Sequence, residues 1–143
     1  VSKSASPAPG KAPAAAPATE PEGRPFEGST TVATDQPSRY AEASGDHNPI
    51  HLDKEYATSV GLGGVILHGL CSMAFASREV VQHGCGGDPR RLASLGLRFS
   101  NMVRPGDRIT TKGNATGSTI VFESTNQEGV VVLSKGRATL VGA

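Results

Sequence analysis

The apolar run at residues 65–83 constrains the fold of this chain more than any other stretch. Ile66, Leu67, Leu70, Met73, Ala74, Phe75, Ala76, Val80 and Val81 spread over most of a helix circumference. The small residues Gly69, Ser72 and Ser77 lie among them. A helix that is apolar nearly all round is buried, not half-exposed. This one is too short and too interrupted to cross a bilayer, so a sheet must wrap it. Met73 and Phe75 read first as core residues. Gly84, Gly86 and Gly87 end the helix, and Asp88-Pro89 turns the chain.

The remainder supplies that sheet. Residues 92–99 carry Leu95, Leu97 and Phe99, and Pro105-Gly106-Asp107 makes a turn. Residues 108–115 alternate weakly, Gly117-Ser118 turns again, and residues 119–126 carry Ile120 and Phe122. A hairpin loop at 127–129 leads to a last strand over 130–141. Upstream, residues 26–32 suit a short strand. A short helix over 38–43 follows a cap at Thr34 or Asp35 and presents Tyr40 and Ala43 on one side. A second, over 53–60, is capped by Asp53 and has Leu52, Tyr56 and Ala57 as its inner face. One long buried helix followed by an antiparallel meander is an α+β layout.

Between the two short helices lies Ser44-Gly45-Asp46-His47-Asn48-Pro49-Ile50-His51. Proline fixes its own φ, lacks an N–H and biases the preceding residue away from helix. Asn48-Pro49 therefore holds the segment extended or turned, and Asp46 and His51 converge instead of splaying around a helix. A carboxylate and an imidazole in one small volume are equipment for moving protons. Asp and Asn before proline are also ordinary turn residues, and an isolated D-x-N-P is a loop more often than a site. His51 at the end of the motif, and Leu67-His68-Gly69-Leu70 further on, shift that balance towards a site.

Tyr40-x-x-x-Ser44-Gly45-Asp46-His47-Asn48-Pro49-Ile50-His51, followed by Ala57 and then His68-Gly69, resembles the MaoC-like hydratases, the (R)-specific enoyl-CoA hydratases called hydratase 2. The resemblance runs from about Thr34 to the C-terminus. It implies a hotdog fold, a curved antiparallel sheet wrapped around a central helix. It also implies reversible hydration of a trans-2-enoyl thioester to a (3R)-hydroxyacyl thioester. Carried over by position, Asp46 and His51 are the catalytic pair and Asn48 supports them.

The chemistry makes the same demands. Adding water across the double bond needs a base at Cβ, an acid at Cα and a dipole for the enolate-like oxygen. On the sequence, Asp46 is expected to deprotonate the water and His51 to supply or shuttle the Cα proton. The free N–H groups at the start of the buried helix suit the oxyanion, and Gly69, lacking a side chain, is the expected donor. Gly69 reads equally well as a glycine packed against the sheet. His68 reads as a hydrogen-bonded structural histidine beside the substrate, more than as a second acid. His47 is expected to face away, and His83 to meet the helix C-terminus. Leu70, Met73 and Phe99 are expected to line the acyl chain. Asp46 and His51 could ligate a metal, but the spacing offers no third ligand, so neither metal nor redox cofactor is expected. Coenzyme A or acyl carrier protein would arrive as part of the substrate.

Composition bounds the rest. Residues 1–25 are rich in Ala, Pro, Ser, Gly and Glu and cannot offset their ordering entropy by burial, so they read as a linker ahead of a domain at 26–143. No run of large apolar residues suits a secretory signal. A linker that begins at Val1, with no Met before it, reads as a piece of a longer polypeptide whose first hotdog half lies upstream. A second hotdog unit, a copy of this chain or that half, is expected to complete the sheet edge and substrate tunnel. A net charge of +1 without a basic block argues against nucleic acid. Arg90, Arg91, Arg98, Arg104 and Arg108 either meet a phosphate-bearing ligand or form a solvated strand face. Cys71 and Cys85 fit no metal spacing and suit a reducing cytoplasm. A hotdog thioesterase and a non-catalytic hotdog half are the competing functions. The complete D-x-N-P-x-H with H-G argues against both.

Overall fold

A computed structural model describes residues 23–142. The expected linker lies outside the described residues as far as 22, but its last two residues, Arg24 and Pro25, already stand in the first strand. The element order is β1 (Arg24–Thr31), α1 (Gln36–Ser44), α2 (Pro49–Leu52), α3 (Lys54–Ser59) and α4 (Gly69–Gly84). A single 3-10 turn at Pro89–Arg91 precedes β2 (Leu92–Phe99), β3 (Arg108–Thr116), β4 (Thr119–Thr125) and β5 (Val131–Leu140).

The strands form one antiparallel sheet in the order β1-β3-β4-β5-β2. Only β3, β4 and β5 make the expected meander. β2 pairs with β5 at one edge, and residues 100–107 then carry the chain three strands across to β3. Register shifts interrupt the β2–β5 and β4–β5 ladders, and Lys135, inside β5, has a left-handed φ of 51°. Such bulges bend and twist a strand, and they help curve the sheet around α4. A curved antiparallel sheet against one long helix is the hotdog architecture.

The buried face of α4 presents Cys71, Ala76 and Val80 to Ile109, Ile120, Phe122, Val132, Leu133 and Ala138 of the sheet. Burying a side chain such as Val80 or Ile120 contributes roughly 1.5–3 kcal/mol. At the far end the helix sits so close to β4 that a Cβ on Gly84 would fall 2.2 Å from Ile120 Cδ1. A glycine there permits the approach.

Two helical expectations need correction. α4 begins at Gly69, four residues later than the apolar pattern suggested, because His68 is extended (φ −57°, ψ 133°) and residues 65–67 run as a loop. Nor is α4 covered all round: the sheet meets one side, and Leu70 (64% exposed), Ala74 and Arg78 form an open stripe at i, i+4, i+8. In the helices before it, Leu52 and Tyr56 are exposed and only Ala57 of the expected inner face is buried. Of the face expected on α1, Tyr40 is half-buried and Ala43 exposed, while Ala41 points inward.

Candidate active site

The loop between α1 and α2 is built by side chains that each bond the backbone two residues on. Gly45, left-handed at φ 79°, ends α1 and frees the chain to turn. Ser44 Oγ accepts from the Asp46 N–H at 3.1 Å, Asp46 Oδ1 from the Asn48 N–H at 3.1 Å, and Asn48 Oδ1 from the Ile50 N–H at 3.2 Å. These are the local bonds for which Ser, Asp and Asn favour turns and caps. Asn48 is extended (φ −57°, ψ 129°), as expected before proline. Pro49 then opens the single turn α2, a helix the sequence reading lacked. Proline at the first helical position has its φ already set for it. That turn swings His51 inward while Asp46 stays exposed at the surface.

His51 is 8% exposed, and its Nδ1–H donates to the Ile66 carbonyl at 2.7 Å. The Ile66 N–H donates back to the Ile50 carbonyl at 3.1 Å. This reciprocal pair ties α2 to the loop before α4. A carbonyl only accepts, so Nδ1 must carry the proton, and a neutral His51 has its lone pair on Nε2.

His68, only 2% exposed, donates from Nε2–H to the Asp46 backbone carbonyl at 3.0 Å. Its ring stacks on His51, with centroids 3.9 Å apart and planes 22° apart, and meets Tyr40 at 4.7 Å. Its Nδ1 is buried with no partner among the described residues. Asp46, His51 and His68 each offer a ligating atom, all within 4.8 Å of one another. The spacing suggested no third ligand, and the structure supplies one in His68. Two imidazoles and a carboxylate are donor types that zinc accepts. They equally form a proton-transfer set, and each histidine already commits one nitrogen to a carbonyl.

Gly69 opens α4. The first helix-type bonds run from the N–H groups of Cys71 and Ser72 to the His68 carbonyl, leaving Gly69 and Leu70 N–H at the free end. A Cβ on Gly69 would lie 3.2 Å from Phe99 Cε1 of β2. Both readings of this glycine therefore find support, an open N–H and a close approach to the sheet edge.

Two cavities flank the Gly69–Phe99 contact. One, about 300 Å³, is lined by His51, Ile66, Leu67, Met102, Val103 and Leu133 among others. The second, about 330 Å³, is lined by Tyr40, Ser44, Asp46, His68 and Leu70. Gly69 and Phe99 line both. Met73, expected along the acyl chain, lines neither; it sits half-buried on α4. Met102 and Leu133 were missed because they lie in a crossover and a strand whose place in the fold no local pattern reveals.

The remaining residues have structural roles. Arg104 donates to the carbonyls of Leu62 and Gly64 and fixes the glycine loop ahead of Ile66, while Arg90 pairs with Asp88 at 3.0 Å. Arg90 and Arg104 are thus engaged within the chain. His47 is exposed. His83, in the last turn of α4, pairs with Glu79 at 3.2 Å and stacks on Phe26.

Residues 16–136 match the family model described as MaoC like domain. The chain belongs to this family. A probable enoyl-CoA hydratase 2 of Dictyostelium discoideum is 43% identical over 111 residues, covering 76% of this chain and 38% of the relative. A MaoC-like dehydratase from Phytophthora capsici superposes with a TM-score of 0.77 at 37% identity, over 81% of this chain and 40% of that one. The unliganded R-hydratase PhaJ1 of Pseudomonas aeruginosa has a TM-score of 0.73 at 26% identity, over 83% of this chain and 79% of that one. The MaoC-like chain spans 38%, 14% and 28% of the first three curated relatives it matches. Among the described residues no helix is long and apolar enough to cross a membrane.

Proposed function

We propose that this MaoC-like domain catalyses (R)-specific hydration of trans-2-enoyl thioesters to (3R)-hydroxyacyl thioesters, and the reverse dehydration. The observation that carries the reading is the convergence of Asp46 and His51, within 4.8 Å, beside the free N–H groups of α4. In this reading Asp46, as carboxylate, holds the water. Neutral His51 takes a proton from it at Nε2 as oxygen bonds to Cβ, and returns that proton to Cα. One proton moves, and addition from one face is syn. The fixed Nδ1–H of His51 supports this division, in which the imidazole is the base and the carboxylate orients. A positioned proton-transfer group contributes about 10²–10⁴-fold. Asn48 keeps the Asp46 loop in shape, and the Gly69 N–H takes the developing oxyanion. Coenzyme A or acyl carrier protein enters with the substrate, and neither metal nor redox cofactor takes part.

A second hotdog unit, a copy of the chain or an upstream half, is proposed to cover the open side. What supports it is the outer edge of β2, which has no strand beside it among the described residues, next to exposed Leu70 and Phe99. Two unpaired buried thiols support a reducing compartment, with the cytoplasm as the proposed one.

The test is incubation with crotonyl-CoA, following loss of the conjugated enoyl-thioester absorbance and the configuration of the product. A 3R alcohol supports hydration. Release of free thiol would instead make the chain a thioesterase, and no reaction in a folded, correctly assembled protein would make it a non-catalytic half.

A further inference from the structure

Asp46 and His51 converge to within 4.8 Å, yet they line different cavities. His51 opens into the apolar one, with Ile66, Leu67, Met102 and Leu133, and Asp46 opens into the other. The shared wall is Gly69 on the helix side and the Phe99 ring on the strand side. A substrate that extends from one cavity into the other, with its reacting carbons at this pair, has to pass this wall. Gly69 is backbone at a helix start and does not move out of the way. Phe99 does have room to move: it is the last residue of edge strand β2, is 52% exposed, and turns on two side-chain torsions. Its ring already crowds Gly69, where a Cβ would stand 3.2 Å from Phe99 Cε1.

We infer that Phe99 is a gate between an apolar acyl chamber and a carrier-side opening, and that its swing sets which acyl chains reach the acid–base pair. This deepens the hydratase reading and rests on it. The closed ring separates the two cavities. The open ring joins them, placing the acyl tail against Leu67, Met102 and Leu133 and the carrier arm past Leu70. Short tails need a small swing. Long or C4-branched tails hold the ring out for the whole turnover, so the gate discriminates mostly against them.

The experiment compares wild type with Phe99→Ala and Phe99→Trp, each confirmed folded by thermal melting. Hydration of C4 and C10 enoyl-CoA is measured alongside stopped-flow binding of butyryl-CoA and decanoyl-CoA, which cannot be hydrated. A gate requires the C10/C4 ratio of kcat/KM to rise at least about tenfold in Phe99→Ala and to fall in Phe99→Trp. It also requires decanoyl-CoA to associate faster with Phe99→Ala. Ratios that stay within about twofold, or loss of activity equal for both chain lengths, would overturn the gate and leave Phe99 as packing. Faster acyl-CoA association in Phe99→Ala without hydration by any form would sustain the gate and contradict the hydratase reading.

Discussion

The imidazole of His68 lies flat on that of His51, 3.9 Å between centroids, and its Nε2–H holds the backbone carbonyl of Asp46 at 3.0 Å. A single side chain from the start of α4 thus touches both members of the proposed acid–base pair. Replacing it with Phe keeps the stacked ring and removes the donor. His68→Phe should cost roughly 1–3 kcal/mol for the orphaned carbonyl and lower kcat about 10²-fold, the order expected of an ångström-scale misplacement. His68→Asn, which keeps a donor, should recover part of kcat. Melting curves and steady-state kinetics read the two effects separately. Equal kcat in His68→Phe and wild type would remove His68 from any positioning role.

Gly69→Ala tests the oxyanion donor. The added methyl would meet Phe99 at 3.2 Å and stand beside the N–H. The N–H itself remains, so a methyl that blocks access to it should cost up to the about 10²–10³ in kcat that losing such a donor costs. Adding Phe99→Leu to Gly69→Ala relieves the crowding. If activity stays low in the double variant, the methyl itself blocks the approach to the N–H. Full recovery would mean that Gly69 only makes room for the ring.

Gly84→Ala probes the fold away from the site. Its Cβ would fall 2.2 Å from Ile120 Cδ1, in a part of the core where Ile120 is fully buried. Overpacking of this kind costs about 1–3 kcal/mol. Chemical denaturation should show that loss, with kcat per folded molecule unchanged. An unchanged midpoint would mean that α4 and β4 sit further apart than described.

The motif and the strands were legible in the sequence because both signals are local. The bonds of Ser44, Asp46 and Asn48 reach two residues, and β2 runs over the residues its alternation suggested. The hidden features depend on distant parts of the chain. The start of α4 was misjudged because Ile66 and Leu67 are apolar yet serve a loop: the Leu67 N–H bonds the Val103 carbonyl and the Ile66 carbonyl accepts the hydrogen bond from His51 Nδ1–H. Met73 has the right composition for a tunnel and the wrong angular position on the helix. β2 lies at the far edge because residues 100–107 cross to β3, which no periodicity within either strand announces.

The two thiols should be slow to react. Burial pushes both Cys71 and Cys85 above the ordinary thiol range, although Gln36 and Arg39 for Cys71, and Arg91 for Cys85, partly offset it. A raised pKa leaves less thiolate at a given pH, and the thiolate is the reactive form. A disulfide reagent at pH 8 should therefore modify neither residue in the folded protein and both after unfolding. Rapid modification of either thiol in the folded protein would contradict the burial described.

The acid–base pair itself is tested most directly by measuring kcat/KM for crotonyl-CoA hydration in wild type, Asp46→Asn, His51→Ala and the double variant, with product configuration and melting temperature recorded for each. The proposed mechanism expects a 3R product and a fall of about 10²–10⁴-fold in each single variant. The double variant should fall little further, because the two groups act as one unit. A folded Asp46→Asn or His51→Ala variant that keeps the wild-type rate would contradict the assignment of Asp46 and His51 as the pair that moves the proton.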